Sequence, residues 1–383
     1  MLNSNINFTN FKVKKKSKKL NLELKNILKK NNEVIQSLKK TYKDSYNYKQ
    51  LKSLNKKNDY RIIGMGGSSL GAQAIYDFLK KKIDRKFSFI DNLRSNTKIL
   101  KKPYNNLVIS KSGNTIETIV NFNILKKKND NNLIITENKN NYLKNLANQL
   151  KCQIIDHNNY IGGRYSVLSE VGMLPAELMG LKPKNFRQLN NLVKNKNFIE
   201  ALIKNVSSIV FYLKNKKFNS VIINYDESST NLFKWYQQLV AESLGKKGIG
   251  ILPIVSNMPK DNHSVMQLYL DGFKNNFFTF FYVKEKNSLK INNSQIIKMQ
   301  SFLKNKDIDH IIYAQKRATE NVFNNKKIPF RSFEILKRDE KTLGELFTFF
   351  ILETILLGRA LKINPFDQPA VELIKTETKK ILT

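Results

Sequence analysis

The sequence predicts an α/β protein with two doubly wound domains, each a parallel sheet between layers of helices. The first observation is a recurring unit in which a short apolar strand leads into a turn rich in Gly, Ser and Thr and then into a helix. The second is that this unit occurs in two regions, around 58–170 and around 200–360. The third is the length of 383 residues, which suffices for two domains with their own cores.

The chain divides into four segments. Residues 1–57 are polar and carry leucines and isoleucines at partly amphipathic spacings, so we predict a helical N-terminal segment. We place a first, smaller domain at 58–170, a second, larger domain at 171–360, and a C-terminal turn and helix at 361–383.

The first domain opens with two strand–turn–helix units. We predict strands at 60–63, 107–109 and 133–136, and helices at 72–80 and 116–126. Both turns follow the carboxyl end of a strand, which is where α/β proteins bind ligands.

The second domain repeats the unit after a stretch that favours helices. Residues 172–213 are predicted to be helical, 220–225 to form a strand, and 235–244 to lie in the helix that follows. The apolar run at 343–363 predicts a buried helix. Residues 364–369, Asn-Pro-Phe-Asp-Gln-Pro, predict a turn before a last short helix.

The formal net charge of +36 invites a nucleic-acid-binding interpretation. The lysines, however, are spread along the chain and interleaved with asparagine, whereas a nucleic-acid binder is expected to cluster them in one patch. The sequence contains no Cys/His finger and no glycine-aromatic strand motif. We therefore attribute the charge to coding bias and expect no specific nucleic-acid partner, although a positive field would speed the capture of a phosphorylated substrate.

Cysteine and histidine usage exclude two further classes. The single cysteine, Cys152, rules out an intramolecular disulfide framework and fits a reducing cytoplasm. The three histidines lie far apart at His157, His263 and His310, without metal-ligand spacing, so we expect no metal and no cofactor. No apolar run approaches the ~18 residues that a membrane span needs, and no apolar signal core follows Met1.

Glu242 is the most informative single residue. In a helix, Leu232, Trp235 and Leu239 fall with it on a single arc of ~80°. An acid among large apolar side chains is costly unless it is paired or used, and burial raises the pKa of a carboxyl group toward the range useful for proton exchange. A salt-bridged structural glutamate is the alternative interpretation.

The two glycine- and hydroxyl-rich turns of the first domain indicate a phosphate site. A helix N-terminus presents free N–H groups and a partial positive charge to an anion. The turns offer five hydroxyl donors, Ser68, Ser69, Ser110, Ser112 and Thr115. Neither turn is a dinucleotide fingerprint or a Walker loop, and helix capping by the same hydroxyls is the alternative.

Two further residues carry chemistry. Gly162 and Gly163 precede Arg164, so the backbone can approach a ligand while the guanidinium stabilises an anion. His263, flanked by polar residues at a probable loop-to-helix start, suits proton transfer. Alone, the arginine fits equally well as a surface side chain and the histidine as a neighbour of a helix cap.

Taken together, these motifs resemble the phosphoglucose isomerase family in its short bacterial form. They occur in the family's order and span residues 60–375. They are Gly-x-Gly-Gly-Ser at 64–68, Ser-Lys-Ser-Gly-Asn-Thr-Ile-Glu-Thr at 110–118, Gly-Gly-Arg-Tyr-Ser at 162–166, Gln-Gln at 237–238, Glu-Ser-Leu-Gly-Lys at 242–246, Asp-x-His-Ser at 261–264 and Asn-Pro-Phe-Asp-Gln-Pro-Ala-Val-Glu-Leu-Ile-Lys at 364–375. The resemblance implies two sugar-isomerase (SIS) domains in a cytoplasmic homodimer, with active sites at the subunit boundary that residues 361–383 help to complete.

The resemblance also implies an activity, the interconversion of glucose 6-phosphate and fructose 6-phosphate through an enediolate. Glu242 would move the proton between C1 and C2, and Arg164 would stabilise the enediolate. His263, reaching across from one subunit to the other, would open the sugar ring with help from Lys375. Substrate contacts are implied for Gly67, Ser68, Ser110, Lys111, Ser112, Thr115, Gly163 and Gln368.

Several alternatives remain at this point. A dual isomerase that also accepts mannose 6-phosphate fits the same residues. A non-catalytic SIS-type sugar-phosphate regulator would need the phosphate turns but not Glu242, His263 and Lys375. A glucosamine-forming amidotransferase would need an N-terminal nucleophilic cysteine, whereas Leu2 follows Met1 here.

Overall fold

The computed structural model describes residues 2, 4–13, 17–52, 54, 58–96 and 102–383. They form two five-stranded sheets with helices on both faces, so the predicted α/β class is confirmed. The strands are β1 (Ile6–Thr9), β2 (Asp59–Gly64), β3 (Phe87–Ile90), β4 (Tyr104–Ile109), β5 (Asn131–Thr136), β6 (Gln153–Asp156), β7 (Asn219–Asn224), β8 (Leu252–Asn257), β9 (Asn276–Val283) and β10 (Phe330–Ile335).

The helices connect and cover these strands. They are α1 (Lys18–Lys30), α2 (Glu33–Ser37), α3 (Tyr48–Lys52), α4 (Leu70–Phe78), α5 (Ile116–Leu125), α6 (Tyr142–Gln149), α7 (Glu170–Leu178), α8 (Pro183–Phe186), α9 (Leu189–Leu192), α10 (Lys196–Lys214), α11 (Thr230–Leu244), α12 (Met266–Asp271), α13 (Ile308–Asn325), α14 (Glu340–Ala360) and α15 (Val371–Leu382). Among the described residues, none of these helices has the length and apolar character that a bilayer crossing requires.

The first sheet is parallel throughout, with the strand order β3-β2-β4-β5-β6. Parallel strands joined by helices place the carboxyl ends of β2 and β4 side by side, with Gly64 opposite Ile109. The predicted strands at 60–63, 107–109 and 133–136 all lie within observed strands. The turns after β2 and β4 therefore meet at one edge of the sheet.

The second sheet has the order β1-β10-β9-β7-β8, and it is parallel except for β1. β1 runs antiparallel to β10, with Ile6 opposite Ile335. The prediction of a wholly helical N-terminal segment is therefore wrong at these residues. Phe8 packs against Phe333 with ring centroids 4.5 Å apart, so pairing with a distant strand decides the conformation of this short segment.

Each sheet buries both faces, as the apolar runs of its strands require. On β2, Ile62 packs into the main core between the sheets, whereas Ile63 packs on the opposite face with α5 and α6. On β7, Ile222 faces the main core and Val221 faces the opposite side. The main core is crossed by α14, which is buried from Thr342 to Gly358, as the apolar run at 343–363 predicts.

A buried ionic network ties α14 to the second sheet. The Arg331 guanidinium on β10 pairs with the Glu353 carboxylate on α14, and neither side chain is exposed. The guanidinium also donates to Asn205 Oδ1 at 2.8 Å and to Thr279 Oγ1 at 2.9 Å. Tyr236 of α11 donates to Glu353 Oε1 at 3.1 Å, so several elements meet at one pair of charges.

Candidate active site

Two glycine turns meet at the carboxyl edge of the first sheet. β2 is followed by a short 3-10 helix, Gly66–Ser68, and the segment after β6 forms another, Gly163–Leu168. A Cβ atom at Gly67 would lie 2.1 Å from the carbonyl carbon of Gly163, so only glycine permits this approach. The contact brings the turn after β2 against the residue that precedes Arg164.

Arg164 is buried at the centre of the cluster, with 1% of its surface exposed. Its Nε donates to Ser243 Oγ at 2.8 Å. Its Nη2 donates to the carbonyl oxygens of Pro365 at 2.8 Å and Asp367 at 3.0 Å. Nη1 donates to the Glu242 carboxylate and, in a second bond, to Gln368 Oε1. The predicted catalytic arginine therefore joins α11 to the C-terminal turn.

Glu242 occupies the last turn of α11 and faces the guanidinium. Its Oε2 lies 3.3 Å from Arg164 Nη1, and its Oε1 accepts a hydrogen bond from Gln238 Nε2 at 2.9 Å. The side chain is 27% exposed, whereas Leu232, Trp235 and Leu239 are buried as predicted. Glu242 is therefore less buried than the apolar stripe to which the sequence assigns it, because it lies in the last turn of α11.

The C-terminal turn closes one side of the cluster. Lys246 Nζ donates to the carbonyl oxygen of Asn364 and to Asp367 Oδ1, each at 2.6 Å. The hydrogen bond from Lys246 holds the pKa of the Asp367 carboxyl below its usual value. Phe366 lies against the ring of Tyr165, with centroids 5.6 Å apart. These contacts hold the turn that carries Gln368 beside Arg164.

The predicted phosphate turn lies between β4 and α5. Ser110 Oγ and Thr115 Oγ1 are 2.9 Å apart, and Ser110 Oγ accepts a hydrogen bond from the Gly113 amide at 3.2 Å. Gly113 has φ +67°, which favours glycine. Thr115, the N-cap of α5, directs its hydroxyl to Ser110. Ser112 is exposed at the tip of the turn.

Lys111 extends from the same turn along the strand ends. Its Nζ donates to the carbonyl oxygen of Asn159 at 2.8 Å and lies 3.3 Å from Glu137 Oε1. The side chain thereby bridges the ends of β5 and β6. Ser68, in the neighbouring turn after β2, is half-buried at the same edge of the sheet.

A buried histidine and glutamate support the loop that carries Arg164. His157 Nδ1 lies 3.0 Å from the Asn158 carbonyl oxygen and 3.9 Å from Glu170 Oε1. Glu170 accepts hydrogen bonds from the Asn158 amide at 2.7 Å and from the Tyr42 hydroxyl at 3.2 Å. Burial raises the pKa of Glu170 and lowers the pKa of His157 to about 4.

Two predicted residues lie outside the Arg164–Glu242 cluster. His263 is exposed in a short 3-10 helix, Lys260–His263, after β8. Lys375 lies on α15, where its Nζ pairs with Glu372 at 2.7 Å and its side chain is 58% exposed. Within the described part of the chain, no hydrogen bond or ion pair links either residue to that cluster.

Three contributors were not assigned a role from the sequence. Gln238 is one helical turn before Glu242, so the i,i+4 spacing could have indicated their contact. Ser243 and Tyr165 contact Arg164 or each other inside the protein, and local spacing carries no signal for those contacts. Among the described residues, no group of three or more His, Cys, Asp or Glu side chains is arranged to hold a metal ion.

Comparisons with known proteins identify the family of this chain. Residues 6–383 match the model of the phosphoglucose isomerase family. The chain is 33% identical over 362 residues to a glucose-6-phosphate isomerase of Methanocaldococcus jannaschii, with 88% of this chain and 86% of that protein covered. It is 31% identical over 344 residues to a glucose-6-phosphate isomerase of Campylobacter jejuni, with 84% of each covered.

Solved structures share the fold. A hypothetical protein from Thermus thermophilus superposes with a TM-score of 0.78 at 22% identity, covering 96% of this chain and 91% of that one. A glucose-6-phosphate isomerase from Chlamydia trachomatis superposes with a TM-score of 0.65 at 17% identity, covering 95% of this chain and 73% of that one. At these sequence identities, the superpositions show only that the fold is shared.

Proposed function

Because the chain belongs to the phosphoglucose isomerase family, it is an aldose–ketose isomerase, and we propose that Glu242 is the base of its proton transfer. The substrate is a sugar phosphate, and the pair it interconverts is glucose 6-phosphate and fructose 6-phosphate. The observation that carries the assignment of Glu242 is its pairing with Arg164 at 3.3 Å while 27% of its side chain stays accessible. A base must reach its substrate, and a fully buried carboxylate could not.

The pair supplies both requirements of proton transfer next to a carbonyl group. Glu242 takes the proton from C2 of the open-chain aldose, which leaves an enediolate. It returns the proton to C1 after the hydroxyl proton of O2 has moved to O1, and this gives the ketose. Arg164 Nη1 holds positive charge beside the same carboxylate, where it stabilises the negative charge that develops on the sugar oxygens. Gln368 Oε1 also accepts a hydrogen bond from Arg164 Nη1. In this proposal the Gln368 side chain contacts the sugar.

The phosphate is held at the neighbouring strand ends. Ser68, Ser110, Ser112 and Thr115 supply hydroxyls, and the N-terminus of α5 supplies backbone N–H groups and its dipole. Lys111 adds a positive charge that Glu137 and the Asn159 carbonyl group hold at this edge. The glycines at 67 and 163 let the turn after β2, which carries Ser68, close against the segment that carries Arg164.

Ring opening is assigned to His263, supplied across a homodimer, with help from Lys375. Both residues lie away from the Arg164–Glu242 cluster in a single chain, which fits active sites shared between two subunits. Exposed apolar side chains mark surfaces that a second copy would cover. They are Leu373, Ile374, Ile381 and Leu382 on α15, and Leu289, Ile297, Met299 and Phe302 between β9 and α13. Consumption of glucose 6-phosphate and the single Cys152 fit a cytoplasmic location.

A coupled assay that offers fructose 6-phosphate tests the proposal. Glu242→Gln should lower kcat by a factor of roughly 10²–10⁴, the contribution of a positioned base. It should retain binding of 6-phosphogluconate, whose C1 is a carboxylate and which therefore has no aldehyde or ketone to isomerise. Glu200→Gln, an exposed carboxylate on α10, is the matched control and should retain full activity. A Glu242→Gln enzyme as active as this control would refute the assignment. Mannose 6-phosphate, offered in parallel, tests the dual isomerase.

A further inference from the structure

Every N–H group of Arg164 has an acceptor within this chain. A guanidinium carries five N–H donors in a rigid plane. The acceptors are Ser243 Oγ for Nε, the carbonyl oxygens of Pro365 and Asp367 for Nη2, and Glu242 Oε2 and Gln368 Oε1 for Nη1. Three of the five N–H groups therefore attach the side chain to the protein, and the two on Nη1 face the proposed site.

The hydroxyl groups behind Arg164 have only one consistent set of directions. The Tyr165 hydroxyl donates its single hydrogen to the carbonyl oxygen of Pro365 at 3.0 Å. Its 2.8 Å contact with Ser243 Oγ must therefore use the hydrogen of Ser243. Ser243 Oγ then accepts from Arg164 Nε. Hydrogen bonds thus run from Arg164 through Ser243 and Tyr165 to Pro365.

These hydroxyl groups lie in a dry environment. Ser243 and Tyr165 are both 0% exposed, and burial raises the pKa of the Tyr165 hydroxyl, which keeps it a donor. A donor that loses its acceptor in such surroundings has no water to replace it. Nε of Arg164 would then have to find another acceptor, and because the guanidinium is rigid, Nη1 would move with it.

We propose that Ser243 and Tyr165 are positioning residues that fix the guanidinium plane of Arg164, so that Nη1 alone is presented to Glu242 and to the substrate. The proposal rests on the proposed role of Arg164 in catalysis and deepens it. The phosphate turns lie on other elements, so a displaced guanidinium should affect the proton-transfer step and leave phosphate binding intact.

Two single variants, their double variant and a control test the proposal in the full-length enzyme. A displacement of ~1 Å in a catalytic group can reduce the rate about a hundredfold. We therefore expect Ser243→Ala to lower kcat by roughly 10–100-fold with KM and inhibition by inorganic phosphate changed less than about twofold. Tyr165→Phe keeps the bond between Arg164 and Ser243, so its kcat should fall less. Ser208→Ala removes a buried helix hydroxyl that bonds the Lys204 carbonyl group in α10, and it should retain wild-type kcat.

The double variant distinguishes positioning from general destabilisation. If the two hydroxyls act through one chain of hydrogen bonds, Ser243→Ala with Tyr165→Phe should lower kcat by less than the product of the single effects. Multiplicative effects, or a kcat of Ser243→Ala equal to that of Ser208→Ala, would overturn the proposal. If Ser243→Ala fails to fold, an unchanged kcat in Tyr165→Phe overturns it and a lowered kcat at unchanged KM supports it. Glu242→Gln is measured in the same assay, because retained activity in that variant would refute the proposed role of Glu242 and not the positioning of Arg164.

Discussion

Among single residues, the Glu242 carboxylate is both held by hydrogen bonds and accessible to a substrate. Gln238 and Arg164 each hold one of its oxygens, which fixes the side chain without covering it. A fully buried, ion-paired glutamate such as Glu353 has the opposite arrangement, with no exposed surface. Both carboxylates lie on helices of the main core. Their different exposure distinguishes a candidate base, Glu242, from a structural ion-pair partner, Glu353.

Phosphate binding is predicted to depend on the hydroxyl pair in the turn after β4. Ser110→Ala with Thr115→Ala removes both partners of a 2.9 Å hydrogen bond and two proposed donors to the phosphate. Hydrogen bonds to a charged group contribute about 1.5–3 kcal/mol each, so KM should rise at least roughly tenfold. The kcat should change much less.

The control for this variant is Ser88→Ala on β3, an exposed hydroxyl that bonds the Tyr60 carbonyl oxygen at 3.3 Å. Its KM should equal that of the wild type. A double variant with unchanged KM and unchanged inhibition by inorganic phosphate would move the phosphate site away from this turn.

Acid sensitivity is predicted to depend on His157. The folded protein holds the pKa of His157 at about 4, below the ordinary value of 6.5, because burial disfavours the charged imidazole. The unfolded chain therefore binds this proton first as pH falls below 6.5. The stability that the neutral side chain contributes above pH 6.5 is lost progressively toward pH 4, by roughly 3 kcal/mol in all.

His157→Gln should accordingly flatten the fall of unfolding free energy between pH 6.5 and 4. Urea titrations at several pH values measure this slope, and His310→Gln, on the exposed face of α13, is the control. Glu170, whose raised pKa has the opposite effect on stability, lies beside His157, so Glu170→Gln and the double variant are measured in the same titrations to separate the two contributions. Equal slopes in wild type and His157→Gln would contradict the assignment.

At the scale of elements, the pair formed by Arg331 and Glu353 is predicted to dominate the attachment of α14. Glu353→Gln leaves the buried guanidinium without a counter-charge, which costs about 3–5 kcal/mol of unfolding free energy. Glu377→Gln breaks an exposed pair with Lys380 on α15 and should change little. Chemical unfolding of the two variants measures the difference, and similar midpoints would mean that the buried pair contributes no more than a surface one.

The sequence predicted elements whose signal is local. The predicted strands within β2, β4, β5 and β7 each contain a short apolar run, and α14 is a long, mostly apolar segment, so composition and length sufficed. The strands β3, β6, β8, β9 and β10 were not predicted. β1 was missed because four residues carry little periodic signal and its partner, β10, lies more than 300 residues away in the chain. Such a strand is specified by tertiary pairing.

The candidate site was likewise predictable only where its motifs are local in the sequence. The turns after β2 and β4 are local motifs at the ends of predicted strands, so their position at one edge of the sheet followed from parallel topology. The exposure of Glu242 and the attachment of Arg164 to Pro365 and Asp367 depend on contacts between distant segments. The spacing of residues along the sequence does not predict these contacts.

At the scale of the whole molecule, the proposed dimer predicts complementation between two inactive variants. Each site would combine Glu242 of one subunit with His263 of the other. A hybrid of Glu242→Gln and His263→Ala subunits then contains one intact site, so random mixing should restore roughly a quarter of the wild-type activity. Mixing two differently tagged His263→Ala preparations is the control. Absence of recovery, with hybrid dimers isolated by their tags, would mean that each active site is built from one chain.

The most direct test of Glu242 as the base is the exchange of the C2 proton of glucose 6-phosphate with solvent deuterium, followed by NMR in heavy water. The wild type and Glu200→Gln should incorporate deuterium at C2, whereas Glu242→Gln should not, although it still binds 6-phosphogluconate. Exchange at the wild-type rate in Glu242→Gln would refute the role of Glu242, because another group would then be removing the proton.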